Sequence, residues 1–121
     1  MKSRWITFKE ETIFYIDLSD FQLDHKAFIE ELGTAEVTTC MQPENSLLVL
    51  TDLNNTVVSP EAMRFAKESS GRTMKHVRKT AVVGITGMQK FLLGAVSRFS
   101  GQRFSVFDDI EKAKEWLVGG K

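Results

Sequence analysis

Two carboxylates, Asp17 and Asp52, fall at the ends of short β-rich runs, and Asn54, Asn55 and Thr56 follow the second of them directly. In a parallel sheet, ligands gather beyond the carboxyl ends of the strands, so these side chains would converge on one edge. A carboxylate pair suits general acid–base work or a divalent cation. No third carboxylate, histidine or recognisable nucleophile joins the pair in the sequence. Asp and Asn at strand ends also stabilise turns by bonding nearby backbone. The pattern assigns no catalytic residue and leaves Asp17, Asp52, Asn54, Asn55 and Thr56 as candidates for contacting a partner or ligand.

A second candidate is Thr86-Gly87-Met88-Gln89-Lys90. It places free backbone N–H groups at a helix start with a lysine one turn in, a usable anion or phosphate site built on Thr86, Gly87 and Lys90. The same residues form a capping box, Thr86 with Gln89, which is the commoner use of such a pattern. The spacing of a Walker loop is absent, and no cofactor motif is legible. Ser59-Pro60-Glu61 combines a capping hydroxyl, a proline at the first helical position and an acid in the first turn. His25 and His76 stand apart from each other and from Cys40, so no metal site is expected. Cys40, the one cysteine, reads as a small packing residue near a helix end and suits a reducing compartment.

The elements that must position these groups are those of a small α/β chain. At 121 residues, with 42% hydrophobic and 26% charged residues, the chain fits one globular domain able to bury a core without disulfides. No signal-peptide core is legible in the first twenty residues, and nowhere do eighteen apolar residues follow one another, so a cytoplasmic, non-spanning protein is expected. The zero net charge hides an asymmetry: four Lys/Arg against ten Asp/Glu in residues 1–60, and twelve against six in residues 61–121. Such a dipole can steer an anionic partner or draw two copies together. The basic run Arg72–Lys79 reads as a solvated connection, and without an interleaved aromatic it gives little support to nucleic-acid binding.

Arg4–Lys9 and Thr12–Leu18 read as a hairpin about the charged turn Lys9-Glu10-Glu11. The second run is apolar on both faces, which marks a strand inside the sheet. Asp24 is a candidate cap for a helix whose stripe is Phe28, Ile29 and Leu32, extended by Val37. Leu23 and Phe28 have the spacing of a hydrophobic staple. Gly33 weakens the middle of that helix, a point at which the segment could split in two, and Pro43 closes it. Ser46–Asp52 is a buried strand. The helix opened by Ser59 shows a small-residue face, Ala62, Phe65, Ala66 and Ser69, and is expected to stop at Gly71. A strand over Thr80–Thr86 follows. Met88, Phe91, Leu92, Ala95, Val96 and Phe99 then form one continuous helical stripe, with Gly101 as its stop. Phe104–Phe107 is the last strand. Asp108 with Glu111 reads as the cap of a final helix that turns Ile110, Ala113 and Leu117 inward, with Trp116 over the rim of the core. The order ββαβαβαβα predicts a mainly parallel sheet with right-handed crossovers and one antiparallel edge strand from the opening hairpin.

That order, with Asn45–Asp52 and the run from Ala81 through Trp116, resembles the STAS fold of anti-sigma-factor antagonists. More specifically, it looks like the uncharacterised bacterial SpoIIAA-like proteins, which share a superfamily fold with Sec14-type lipid carriers. The resemblance spans nearly the whole chain, and its most specific part is Lys79–Lys90 followed by Phe99-Ser100-Gly101. It implies a regulatory module working through protein contacts, or, by way of the lipid carriers, a carrier or sensor of a small apolar or anionic ligand. Regulatory STAS proteins carry an Asp-Ser-Ser/Thr-Gly-like phosphorylation sequence where this chain has Asp52-Leu53-Asn54-Asn55-Thr56-Val57-Val58-Ser59-Pro60. No Ser-Gly pair is present, so Thr56 and Ser59 remain only as candidate phosphoacceptors.

Overall fold

The computed structural model describes residues 1–85 and 104–119. The expected helix Met88–Phe99, its stop at Gly101 and the candidate residues Thr86, Gly87 and Lys90 lie outside the described residues. Strand β1 (Arg4–Phe8) and strand β2 (Glu11–Asp17) form the predicted hairpin, closed by Lys9 and Glu10, both with positive φ. Positive φ at both central positions is the turn whose twist matches that of paired strands. Helix α1 (His25–Cys40) leads to β3 (Leu47–Asp52), α2 (Pro60–Thr73), a 3-10 turn (Met74–His76), β4 (Val77–Val83), β5 (Phe104–Phe107) and α3 (Ile110–Val118).

The strands lie in sequence order, β1-β2-β3-β4-β5, with β1 antiparallel to β2 and the other neighbours parallel. The expected α/β architecture is therefore present. Residues alternate between two cores, as strand geometry requires. Phe14, Ile16, Val49 and Val82 face one side, where they meet Phe28 and Ala35 of α1 and Ala62 of α2. Ile13, Tyr15, Leu48, Leu50, Ala81 and Val83 face the other, under Ala113 and Leu117 of α3. Phe14, Ile13 and Leu50 are fully excluded from solvent, and such side chains contribute about 2 kcal/mol each by burial. The small-residue face of α2 packs against α1, with Gly33 opposite the Phe65 ring.

Several local expectations give way. Gly33 does not split α1, which runs unbroken to Cys40, because packing on α2 and the sheet outweighs its weak helix propensity. Gly71 does not end α2, which continues through Thr73 and a 3-10 turn. Both Ser69 and Thr73 are buried on its inner face, and that burial holds the last turn. Strand β4 accordingly begins at Val77, not Thr80, so the basic run Arg72–Lys79 is helix end, turn and strand rather than a solvated loop. Lys79 is buried, its ammonium donating to the Trp116 carbonyl at 2.8 Å and lying 4.7 Å from the indole centroid. The cap of α3 is Asp109, one residue later than expected, accepting from the Glu111 amide at 2.7 Å. Leu23 and Val37 are exposed. No staple forms, and it is Phe21 that packs on the core beside Phe28. Cys40 is exposed at the end of α1 rather than packed. Trp116 lies half-buried against Phe107, at 5.7 Å between ring centroids.

Candidate functional site

The parallel register sets Asp17 directly beside Asp52, so the two carboxylates do converge at the carboxyl edge of the sheet. They sit on the α3 side, in line with Tyr15 and Leu50, because each lies two residues beyond a member of that core. Asp17 Oδ1 accepts from the Ser19 amide at 3.1 Å and the Ser19 hydroxyl at 2.5 Å. Its Oδ2 accepts from Arg4 at 3.2 Å, and Lys2 Nζ stands 3.7 Å from Oδ1. Burial alone would raise the Asp17 pKa, but the Ser19 bonds, Arg4 and Lys2 outweigh it and hold the carboxyl below its ordinary value.

Asp52 is buried and equally engaged. Its Oδ1 accepts from the Asn54 amide at 2.9 Å and the Asn54 side-chain amide at 2.8 Å, while Oδ2 accepts from the Tyr15 hydroxyl. Burial, then that bond and the charges of Asp52 and Asp17, push the Tyr15 phenol well above its ordinary value. Both carboxylates thus face donors of their own fold, and every polar contact they make closes a turn or braces a strand. An acid–base pair needs one group whose proton can reach a substrate; Asp17 and Asp52 are both buried, with their oxygens engaged by Ser19, Arg4, Asn54 and Tyr15. Among the described residues no group of three His, Cys, Asp or Glu side chains is arranged to hold a metal ion.

Beyond the strand ends, the β2–β3 ladder continues as two loops running side by side. Leu18 donates to the Asp52 carbonyl at 2.9 Å, Asp20 to Asn54 at 2.8 Å and Gln22 to Asn55 at 2.9 Å, while Val57 donates to Gln22 at 2.9 Å. The Thr56 hydroxyl clasps the pair, donating to the Leu18 carbonyl at 2.6 Å and accepting from the Phe21 amide at 3.1 Å. Thr56 is buried, so its hydroxyl works inside the fold. Asn55, exposed and with positive φ, ties its side chain to Asp20 at 2.9 Å. Ser59 caps α2 by accepting from the Ala62 amide at 3.0 Å, and it remains partly accessible. The rim of this doubled loop carries two bare apolar side chains, Leu23 at 69% and Val57 at 50% exposure.

A third loop meets the pair. Gly84, immediately after β4, has φ of +84°, and its α-carbon passes so close to Asn54 that an added Cβ would lie 2.4 Å from the Asn54 nitrogen. Sequence reasoning missed Gly84, the Tyr15 hydroxyl and the exposed Leu23–Val57 rim. A phenol in an otherwise apolar strand was a readable signal for the second of these, since a buried hydroxyl needs a partner. The rim has no such signal, because the spacing of Leu23 and Phe28 is that of a hydrophobic staple.

Comparison with known proteins bears on the fold. No protein-family model and no curated protein matches the chain. Among solved structures, an uncharacterised protein of the DUF3478 family with a SpoIIAA-like fold, from Shewanella loihica PV-4, superposes with a TM-score of 0.70. The match covers 96% of this chain and 92% of that one at 15% identity. The fold is SpoIIAA-like. The expected resemblance holds at that level, and a SpoIIAA-like sheet with this hairpin edge is what the strand order displays. No helix among the described residues is long and apolar enough to cross a membrane.

Proposed function

We propose that this chain is a one-domain, non-enzymatic binding module, cytoplasmic, that acts by contacting a protein partner through the rim above Asp17 and Asp52. One observation carries the reading: two loops cross-bonded along their whole length hold Leu23 and Val57 bare in solvent. Apolar side chains fixed on a rigid, polar-braced support lose little freedom on contact, which favours association. Asn55 and the Ser59 hydroxyl would join the contact, with Asp17, Asp52, Asn54 and Thr56 keeping its shape. Ser59, at the start of α2, is the phosphoacceptor of this reading, since added negative charge is tolerated at a helix N-terminus.

The test is a photoreactive phenylalanine analogue placed at Val57 or, at the far end of α2, at Met74. Cross-linked protein adducts from position 57 that vanish on Leu23→Glu support the reading. Adducts from Met74 alone, or from neither position, overturn it.

A second reading, a carrier of a small apolar ligand, is favoured by a cavity of about 100 Å³ between α1, α2 and the sheet, lined by Phe28, Leu32, Val49 and Val82. That space suits a molecule the size of a benzene ring better than a lipid chain. Native mass spectrometry of freshly purified protein separates the two readings, a retained small molecule favouring the carrier.

A further inference from the structure

Strand β1 is an edge, and its outward face can be specified residue by residue. The two-residue turn at Lys9-Glu10 makes Phe8 and Glu11 the closing pair of the hairpin. Directly opposed residues then alternate between bonded and non-bonded pairs. Ile6 with Ile13 and Arg4 with Tyr15 exchange backbone bonds, whereas Trp5 with Phe14 and Thr7 with Thr12 do not. The close side-chain approach of a non-bonded pair is visible in the Trp5 and Phe14 rings, 4.8 Å apart between centroids. The N–H and C=O groups of Trp5 and Thr7 therefore point away from the sheet, and no described residue meets them. Ser3, the next residue of this parity, is withdrawn, its amide donating to Glu31 at 2.8 Å.

We propose that β1 is the interface through which two copies of this chain pair, antiparallel and edge to edge, to make one continuous ten-stranded sheet. Only one register uses every outward group. It sets Trp5 against Thr7 of the second copy and Ile6 against its own counterpart on the two-fold axis. A register one pair towards the N-terminus would call on the occupied Ser3 amide. One towards the C-terminus would call on Lys9, whose positive φ takes it out of strand geometry. In the allowed register the two Trp5 side chains are diagonal neighbours, at a spacing aromatic rings can bridge. Each is 45% exposed in the single copy.

Charge agrees with this choice. Lys2 precedes β1 and Arg4 opens it, while the turn Lys9-Glu10-Glu11 beyond Phe8 carries two acids against one base, so antiparallel pairing brings the basic start of one copy towards the net acidic turn of the other. Strand β1 carries neither a proline nor a bulge, two of the devices that protect a free edge.

Sedimentation equilibrium over a wide concentration range, with Thr7→Pro as the variant, tests the pairing. Proline at position 7 removes an N–H that β2 does not use, the placement in which edge strands admit proline. Each dimer loses two hydrogen bonds of about 1 kcal/mol, which weakens association by about thirtyfold. Because that variant carries a folding risk, Ile6→Cys in a Cys40→Ser background supplies an independent readout. A cysteine facing its own copy at about 4.5 Å between Cα atoms of a non-bonded pair oxidises to a covalent dimer, whereas Arg4→Cys does not. A wild-type chain that stays monomeric throughout, a folded Thr7→Pro protein that associates unchanged, or a dimer that Ile6→Cys fails to cross-link overturns the proposal.

Discussion

The Tyr15 hydroxyl donates to the Asp52 carboxylate across the β2–β3 pair, although the residue opposite Tyr15 in the ladder is Leu50. The bond runs diagonally towards the carboxyl ends and ties the middle of one strand to the last residue of the next. Asp52 in turn accepts both amides of Asn54, and Arg4 stacks 4.5 Å above the Tyr15 ring while bonding Asp17. One phenol thus joins the sheet interior to the turns that shape the rim. Asp17 and Asp52 both act here as anchors of the turns that follow their strands.

The first prediction concerns that phenol. Tyr15 is the one tyrosine of the chain, so the absorbance of tyrosinate reports on it alone. Its pKa is raised in the folded state by burial and by Asp52, so folding favours the protonated form. Stability is therefore full below the unfolded value, about 10, and falls as pH rises above it. The folded protein should show no tyrosinate absorbance at a pH where the urea-unfolded chain is already ionised. Tyr15→Phe removes a hydrogen bond to a charged group and should lower stability by roughly 2 kcal/mol, measured by urea titration at neutral pH. Ionisation at the ordinary pH in the folded state would show that the bond to Asp52 does not form.

The junction of Gly84 with Asn54 gives the second. A methyl at position 84 would enter the Asn54 backbone and would also strain a positive φ. Gly84→Ala should therefore cost about 3 kcal/mol, seen as a lower urea midpoint. Because the clash lies against the doubled loop, proteolysis within residues 53–57 should increase with it. An unchanged midpoint would mean that the β3 and β4 loops do not touch.

Acid should weaken the fold. Asp17 is buried and Glu31 partly so, which raises a carboxyl pKa, yet the bonds from Ser19 and Ser3 respectively overcome that and leave each below its ordinary value. Glu36 is lowered chiefly by Arg72, which bonds it at 2.6 and 2.9 Å. Depressed folded values mean that this stabilisation is complete above the unfolded pKa, about 4, and is lost as pH falls through the folded values. The urea midpoint should fall steeply below pH 4, and less steeply in Asp17→Asn. Equal acid slopes in the two proteins would remove Asp17 from the account.

How far the sequence disclosed this arrangement depended on the range of the deciding interactions. The hairpin, the doubly apolar β2 and the caps Asp24 and Ser59 were legible, since period and capping chemistry are local. Asp24 does accept from Ala27, and Ser59 from Ala62. The convergence of Asp17 with Asp52 followed from parallel pairing alone. The turn-closing half of what those carboxylates do was legible too, since Ser19 and Asn54 donate from two residues on. The bonds from Arg4 and Tyr15 and the Lys2 ion pair were not, because those groups lie far away in the chain or across a strand. Gly71 misled for the same reason. A glycine in isolation stops a helix, but the burial of Ser69 and Thr73 against the sheet carries α2 past it.

That last case yields a prediction opposite in sign to Gly84. Neither Gly33 nor Gly71 has a positive φ. A Cβ at Gly71 meets nothing within 4 Å, and one at Gly33 meets the Phe65 ring at 3.7 Å, an ordinary contact. Alanine at either position should raise stability by about 1 kcal/mol through helix propensity and a less disordered unfolded chain. The gains should add, since the two sites lie on different helices and share no partner. Urea titrations of the single and double variants at unchanged slope measure this directly. A loss at Gly71 would mean that the chain leaves the helix there in a left-handed turn, and that α2, with β4 behind it, starts and stops where the sequence alone suggests.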